Sequence, residues 1–327
     1  MKARLLQFAL TAAFVVLLVQ VVLIAPSHIR DAEHQAALIP APPPPPSAEV
    51  DQSMNGMHMI ETQDGKKEWE LWSEKARSLK AKELLELDMV KAILFSDKGL
   101  TYTVTGKIGT VQVKTKNLRV EGDVVTRSSS GYTFRTPNMD YVSDGRSLQT
   151  EERVEVIGPK EKQGPGLYLT GQGLQAKLSE NVIEIHRDVR ARKQLDDGKM
   201  ASIRSHRARL TSADRTAQFF GEVVLDVENM RITGPAATFE YDEGSQRLKA
   251  VNFSGGARVS DAEKWATAQN VRIDFDKNRF VFRGAPRVVQ NNDELRGEEI
   301  VFLDGGKRVQ VRGARAKVDE KRLEKAN

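Results

Sequence analysis

The chain of 327 residues contains no cysteine. That excludes a disulfide framework, an Fe–S cluster, thiolate zinc, a cysteine nucleophile and a lipidated cysteine. Its five histidines include no pair at i+3 or i+4, which leaves little for metallochemistry. Gly-rich phosphate loops, nucleophile elbows, HExxH and EF-hand patterns are all absent. The net charge of +5 is modest and spread out, unlike the clustered basic footprint of a nucleic-acid binder. Neither an enzyme nor a nucleic-acid partner is expected, and no cofactor or metal. Aromatics supply only 6 % of residues, so a core must be built mainly from mid-sized aliphatics. A hydrophobic content of 39 % with 29 % charge still suits a folded domain.

One long apolar run is present, Leu5 to Ala25, broken only by Gln7, Thr11 and Gln20. As a helix at 1.5 Å per residue it spans roughly 31 Å, about one hydrocarbon core. Lys2 and Arg4 precede it, and no basic residue follows until Arg30. The positive-inside bias therefore keeps residues 1–4 in the cytoplasm, makes 5–25 a transmembrane anchor and sends the rest across. A cleaved secretory signal is the rival reading, but its apolar core should be only about 7–15 residues. Ala25, the one small-residue exit, is followed by Pro26. In a Gram-negative cell the protein is then single-pass in the inner membrane, with its bulk periplasmic. Residues 26–60 read as a flexible linker whose Pro42–Pro46 run favours extended polyproline II.

From about residue 61 the chain is periodic at two levels. Val271, Ile273 and Phe275 alternate with Arg272, Asp274 and Asp276, the pattern of a half-buried strand. Turn chemistry separates such arms at Ser143-Asp144-Gly145, Asp242-Glu243-Gly244, Asp276-Lys277-Asn278 and Asp304-Gly305-Gly306. Copies of the two-arm unit start near 69, 102, 132, 167, 201, 230, 265 and 294, a repeat architecture with steps of 29–35 residues. Small residues in mid-arm (Thr136-Pro137, Gly171-Gln172-Gly173, Gly234-Pro235-Ala236) mark where an arm bends from one sheet into a facing one. Trp72, Ala76 and Leu79 share a helical face, so Trp69–Leu87 could be an amphipathic helix; its alignment with later copies favours strand.

The expected fold is all-β: an elongated, open β-jellyroll of stacked, bent antiparallel strands in two facing sheets, preceded by one N-terminal transmembrane helix. Two arms per copy give about 16 rungs and a body on the order of 75 Å long.

Two features carry functional weight. The first is an apolar seam through successive copies: Met139, Leu167, Leu169, Leu174, Val223, Leu225, Ile232, Phe239, Phe253, Ile273, Phe280, Phe282 and Ile300. Much of it reads as plain core, yet sheets lined by aliphatics can part along one side and admit acyl chains. The second is the basic stretch Arg187, Arg190, Arg192, Lys193, Arg204, Arg207 and Arg209. It reads either as a positive rim facing phosphates beside the groove or as an ordinary solvated face. Met54, Met57, His58 and Met59 form a soft-ligand cluster able to hold copper, or simply part of the linker. The acidic pairs Glu151/Glu152, Asp196/Asp197 and Glu298/Glu299 read as solvated charge, and His186 and His206 as surface or rim.

The anchor, the linker and the stretch KEWELWSEKARSLKAKELLELDMVKAILFSDKGLTYTVTGKIGTVQV resemble LptC, the membrane-anchored component of lipopolysaccharide export. GEVVLDVENMRITGPAATFEYDEGSQRLKAV and its successors are similar to the LptA/OstA repeat. On this resemblance 61–200 is an LptC-like periplasmic jellyroll, 201–318 an LptA/OstA-like continuation and 319–327 a charged tail. It implies lipopolysaccharide taken from an inner-membrane ABC transporter, with the lipid A acyl chains in the groove. It also implies membrane subunits of that transporter as partners, and edge-to-edge β pairing with an LptA-like jellyroll or an outer-membrane component. The competing function is a non-enzymatic, membrane-anchored β-scaffold that spaces or recruits envelope proteins without carrying lipid.

Overall fold

The structure is a computed structural model and describes residues 52–63, 65–79, 82–159, 166–195, 198–211, 215–242, 247–291, 293–304 and 307–317. All belong to one compact unit, 48–327. The expected anchor at 5–25 and most of the expected linker lie outside the described residues. No helix among the described residues is long and apolar enough to cross a membrane.

Antiparallel neighbours follow one another from β1 (Gln52–Gln63) and β2 (Lys66–Leu79) to β3 (Leu84–Phe95), β4 (Thr101–Gln112) and β5 (Leu118–Ser128). β6 (Thr133–Val142), β7 (Ser147–Ile157), β8 (Tyr168–Lys177) and β9 (Val182–Gln194) continue the series. The next arm is broken. β10 (Met200–Ser205) pairs with the second half of β9, and β11 (Arg207–Thr211) with the first. Both then pair with β12 (Thr216–Val227). After β13 (Met230–Tyr241), β14 (Leu248–Ser260) and β15 (Lys264–Asp274), the halves stay apart. β17 (Arg287–Gln290), β18 (Asp293–Arg296) and β21 (Arg315–Lys317) extend one half. β16 (Arg279–Arg283), β19 (Glu299–Leu303) and β20 (Arg308–Arg312) extend the other.

The copies inferred from the sequence thus begin at β2, β4, β6, β8, β10, β13, β15 and β18. The helical alternative for Trp69–Leu87 gives way to β2 and β3. Instead of two separate sheets, the strands form one 21-stranded sheet bent along a line that crosses every arm. The bend is written in the ladder. Register shifts fall at Thr105/Ile108, Glu121/Val124, Arg135/Asp140, Thr150/Arg153, Thr170/Gln172, Phe220/Val223, Thr233/Ala236 and Ser254/Ala257. Each is a β-bulge in mid-strand, which inserts residues into one strand and kinks it. At Gly221 the backbone is left-handed (φ +79°), and a Cβ there would lie 2.6 Å from Nδ1 of His206. His206 therefore sits on the outside of the corner, over that glycine.

The bend makes two walls. The first holds β10, β17, β18, β21 and the half-strands hydrogen-bonded in line with them, among them 66–72, 101–105, 168–170, 190–194 and 230–234. The second holds β11, β16, β19, β20 and the remaining halves. Inward-facing side chains of both walls form one core cluster running from Trp69 to Ile300. Trp69, Tyr141 and Phe253 are its largest fully buried members.

Residues 52–60, expected as linker, form most of β1. Met57 and Met59 pack against the core, while His58 between them faces out. Burial of alternate residues, not composition, makes this segment a strand. The expected boundary at 200/201 falls at the first residue of β10, which is β9's neighbour in the same ladder.

Candidate functional site

The walls meet at the corner and end in two lips. Along the lips the interior opens into two cavities. The larger, of about 430 Å³, takes Leu100, Tyr102, Tyr132, Phe134, Val156 and Leu167 from the first wall, and Ile183, Leu210, Ala217, Phe219 and Tyr241 from the second. Lys193, Arg215 and Asp242 stand at its edge. The smaller, of about 190 Å³, lies between Met230, Val259, Ala266 and Val288 on one side and Phe280, Phe282 and Phe302 on the other.

Of the residues expected to line a groove, Leu167 lines the first cavity, and Phe280 and Phe282 the second. Met139, Leu169, Leu174, Val223, Leu225, Ile232, Phe239, Phe253, Ile273 and Ile300 also face inward, at most 7 % exposed, and fill the base beneath. The mouth itself is lined by residues that the apolar seam passed over: Tyr102, Tyr132, Ile183, Leu210 and Tyr241. Their signal was position, since each is an apolar or aromatic residue at a strand end next to a turn.

Toward the N-terminal end a polar strap joins the lips. Glu68, buried on the first wall, accepts hydrogen bonds from the Tyr141 hydroxyl and, at 2.9 Å, from Ser143 Oγ on the second. Arg146 reaches from the second wall to the Asp97 carboxylate and, at 2.7 Å, to the Phe95 carbonyl. Lys98 donates to the Glu180 carbonyl at 3.5 Å. Burial, then the Glu68 carboxylate, push the Tyr141 phenol above its ordinary pKa, so it stays a donor at neutral pH. The trough is laced shut here and open beyond.

The basic stretch is divided by the pleat. Lys193 alternates inward with Val189 and Ala191 and reaches the larger cavity. Arg190, Arg192 and Arg204 lie on the outer face of the first wall, Arg207 and Arg209 on the outer face of the second, and Arg187 at the corner. Arg192 covers the Tyr168 ring at 4.6 Å and Arg207 the Phe220 ring at 5.0 Å, while Arg209 pairs with Glu184 at 3.2 Å. The soft-ligand cluster is not gathered either. His58 stacks on Trp72 with centroids 4.8 Å apart and meets Glu70 at 2.9 Å, on the face opposite Met57 and Met59. His186, Glu151, Glu152 and Glu298 are exposed, and Glu299 pairs with Arg283; Asp196 and Asp197 lie outside the described residues.

A bulge-cornered antiparallel roll with an apolar, side-opening interior defines a β-jellyroll. Family models agree: residues 14–194 match "Lipopolysaccharide-assembly, LptC-related", and 202–304 match "LptA/(LptD N-terminal domain) LPS transport protein". The first match spans more than half of the chain, which therefore belongs to the LptC-related lipopolysaccharide-assembly family. No curated protein matches it. Among solved structures, LptH from Pseudomonas aeruginosa, the LptA-homologous periplasmic component of a lipopolysaccharide transport device, is 18 % identical with a TM-score of 0.34. The match covers 36 % of this chain and 94 % of that one.

Proposed function

We propose that this protein is an inner-membrane-anchored periplasmic bridge component. It accepts lipopolysaccharide from an ABC transporter and passes it along the trough toward the outer membrane. The observation that carries this reading is the pair of apolar cavities opening along the lips above one continuous core. An acyl chain entering the trough exchanges water for hydrocarbon at about 0.8 kcal/mol per methylene. Repeated inner faces make successive positions similar in energy, so a chain can slide when pushed from behind. No catalytic step is required.

In this reading lipid enters beyond the strap at Glu68 and Tyr141, and the larger cavity lined by Tyr132 and Leu167 supports that position. The residues at the base support the trough, and Lys193 and Arg215 stand where a phosphorylated head group leaves it. β1 at one end, and β20 with β21 at the other, are the edges available for pairing with neighbouring jellyrolls.

The test is site-specific photo-crosslinking in cells. Crosslinkers at Tyr132, Leu167 and Phe280 capture lipopolysaccharide, whereas those at Arg272 and Asp274, on the outer face of the second wall, do not. Equal capture inside and outside, or none at the mouth, refutes the conduit and leaves the scaffold.

A further inference from the structure

The two walls differ outside. On the first wall, Arg190 of β9 stands directly opposite Arg204 of β10, and Arg287, Arg296 and Arg315 stand opposite one another on β17, β18 and β21. Like charges facing across a ladder destabilise a sheet, yet here they recur. Carboxylates are fewer than the arginines here: Arg287 and Arg296 share Glu294, Arg204 and Arg231 share Asp226, and Arg190 and Arg315 have no ion-pair partner among the described residues. Arg258 and Arg287, on the strands either side of β15, both lie over the Trp265 ring, at 4.5 and 5.1 Å, which holds both guanidinium groups against the sheet. On the second wall more of the cations have a carboxylate of their own. Arg119 pairs with Asp140 at 2.9 Å, Arg272 with Glu240 at 3.0 Å and Arg279 with Asp274 at 2.5 Å.

The basic column also runs beside the lip. Lys193 and Met230 line the two cavities, and the next outward residues are Arg192 and Arg231. We propose that the outer face of the first wall is a track for the phosphate groups on the sugar portion of lipopolysaccharide, fixing which way the head group leans as the acyl chains occupy the trough. This rests on the conduit reading and adds an orientation to it. Neighbouring strands lie about 4.8 Å apart, so facing arginines can converge on one phosphate. Guanidinium forks suit that geometry better than ammonium groups do. The arginines recur along the ladder from β9 to β21 rather than converging in a cavity, which fits an extended, multiply phosphorylated chain rather than a small ion in a pocket. Head group and trough are then occupied by a single ligand.

The experiment places photo-crosslinkers in the full-length protein at Ser202, on the first wall's outer face between Arg192 and Asp226, at Gln218 on the second wall's outer face, and at Tyr132 in the mouth. Ser202 captures lipopolysaccharide and Gln218 does not. Enzymatic removal of the phosphates abolishes capture at Ser202 while Tyr132 continues to label. Adding Arg190→Gln and Arg204→Gln lowers capture at Ser202 about tenfold, although relief of the facing charges leaves the melting temperature equal or higher. Equal capture at Ser202 and Gln218, phosphate-independent capture at Ser202, or an adduct there with an acidic protein instead of lipopolysaccharide overturns the track. Loss of labelling at Tyr132 alone refutes the conduit, so the two failures are distinguishable.

Discussion

Ala217 offers the sharpest handle on the larger cavity. It is 3 % exposed, sits on β12 between Leu210 and Phe239, and lines the mouth from the second wall. A methylene at interior packing density occupies about 27 Å³, so 430 Å³ holds about sixteen of them. Ala217→Phe adds about 100 Å³ of ring at the same density and removes room for about four. At about 0.8 kcal/mol per methylene, that is a loss of about 3 kcal/mol, or roughly a hundredfold in Kd. The loss falls only on chains long enough to need the space. The assay is competition binding with single-chain lipids of increasing length. For the native protein, affinity climbs with each added methylene and then levels off. For Ala217→Phe, the plateau arrives about four carbons earlier while short chains bind as before. Thermal melting reports whether the ring is accommodated, and Thr238→Phe on the outer face of β13 is the control. An unchanged plateau in a folded Ala217→Phe protein would refute the idea that this cavity takes the chain.

Three further outcomes follow from the geometry. Tyr141→Phe leaves the buried Glu68 carboxylate with Ser143 as its remaining donor. Stability should fall by about 1–3 kcal/mol, read as a melting temperature lower by about 2–4 °C for each kcal/mol; no change would mean that the strap holds nothing. Burial raises the pKa of Asp274, but hydrogen bonds from Arg279 and Arg272 outweigh it and hold the carboxyl below its ordinary value. Its contribution is therefore complete above the unfolded-state pKa of about 3.9 and is lost as pH falls through the lower folded value. The melting difference between the native protein and Asp274→Asn should be full at neutral pH and vanish in strong acid, and a pH-independent difference would contradict the assignment. Gly221→Ala forces a Cβ against the His206 ring in a left-handed conformation. It should destabilise by about 1–2 kcal/mol, and Gly221→Ala with His206→Ala should recover the part due to the clash, both measured by denaturant titration.

Alternation and turn chemistry are local, and for that reason the arms were legible. The start of every copy coincides with a strand, and Thr136-Pro137, Gly171-Gln172-Gly173 and Gly234-Pro235-Ala236 sit at bulges. The inward residues from Met139 to Ile300 were found by the same rule, because side chains alternate faces whatever the strand pairs with. β1 was hidden because a run of methionine and polar residues carries little hydrophobic contrast until it docks on β2.

Sequence by itself therefore determined the two-arm units from β2 onward, their bends and which face of each arm is apolar. Tertiary structure decided what depends on distance across the fold. Glu68 and Tyr141, 73 residues apart, close one end of the trough, while Tyr132 and Leu210 stand far enough apart to leave it open. It also assigned Lys193 to the mouth and Arg190 to a wall of facing arginines. A one-residue step turns a side chain to the opposite face, and only ladder register says which arginines meet across neighbouring strands.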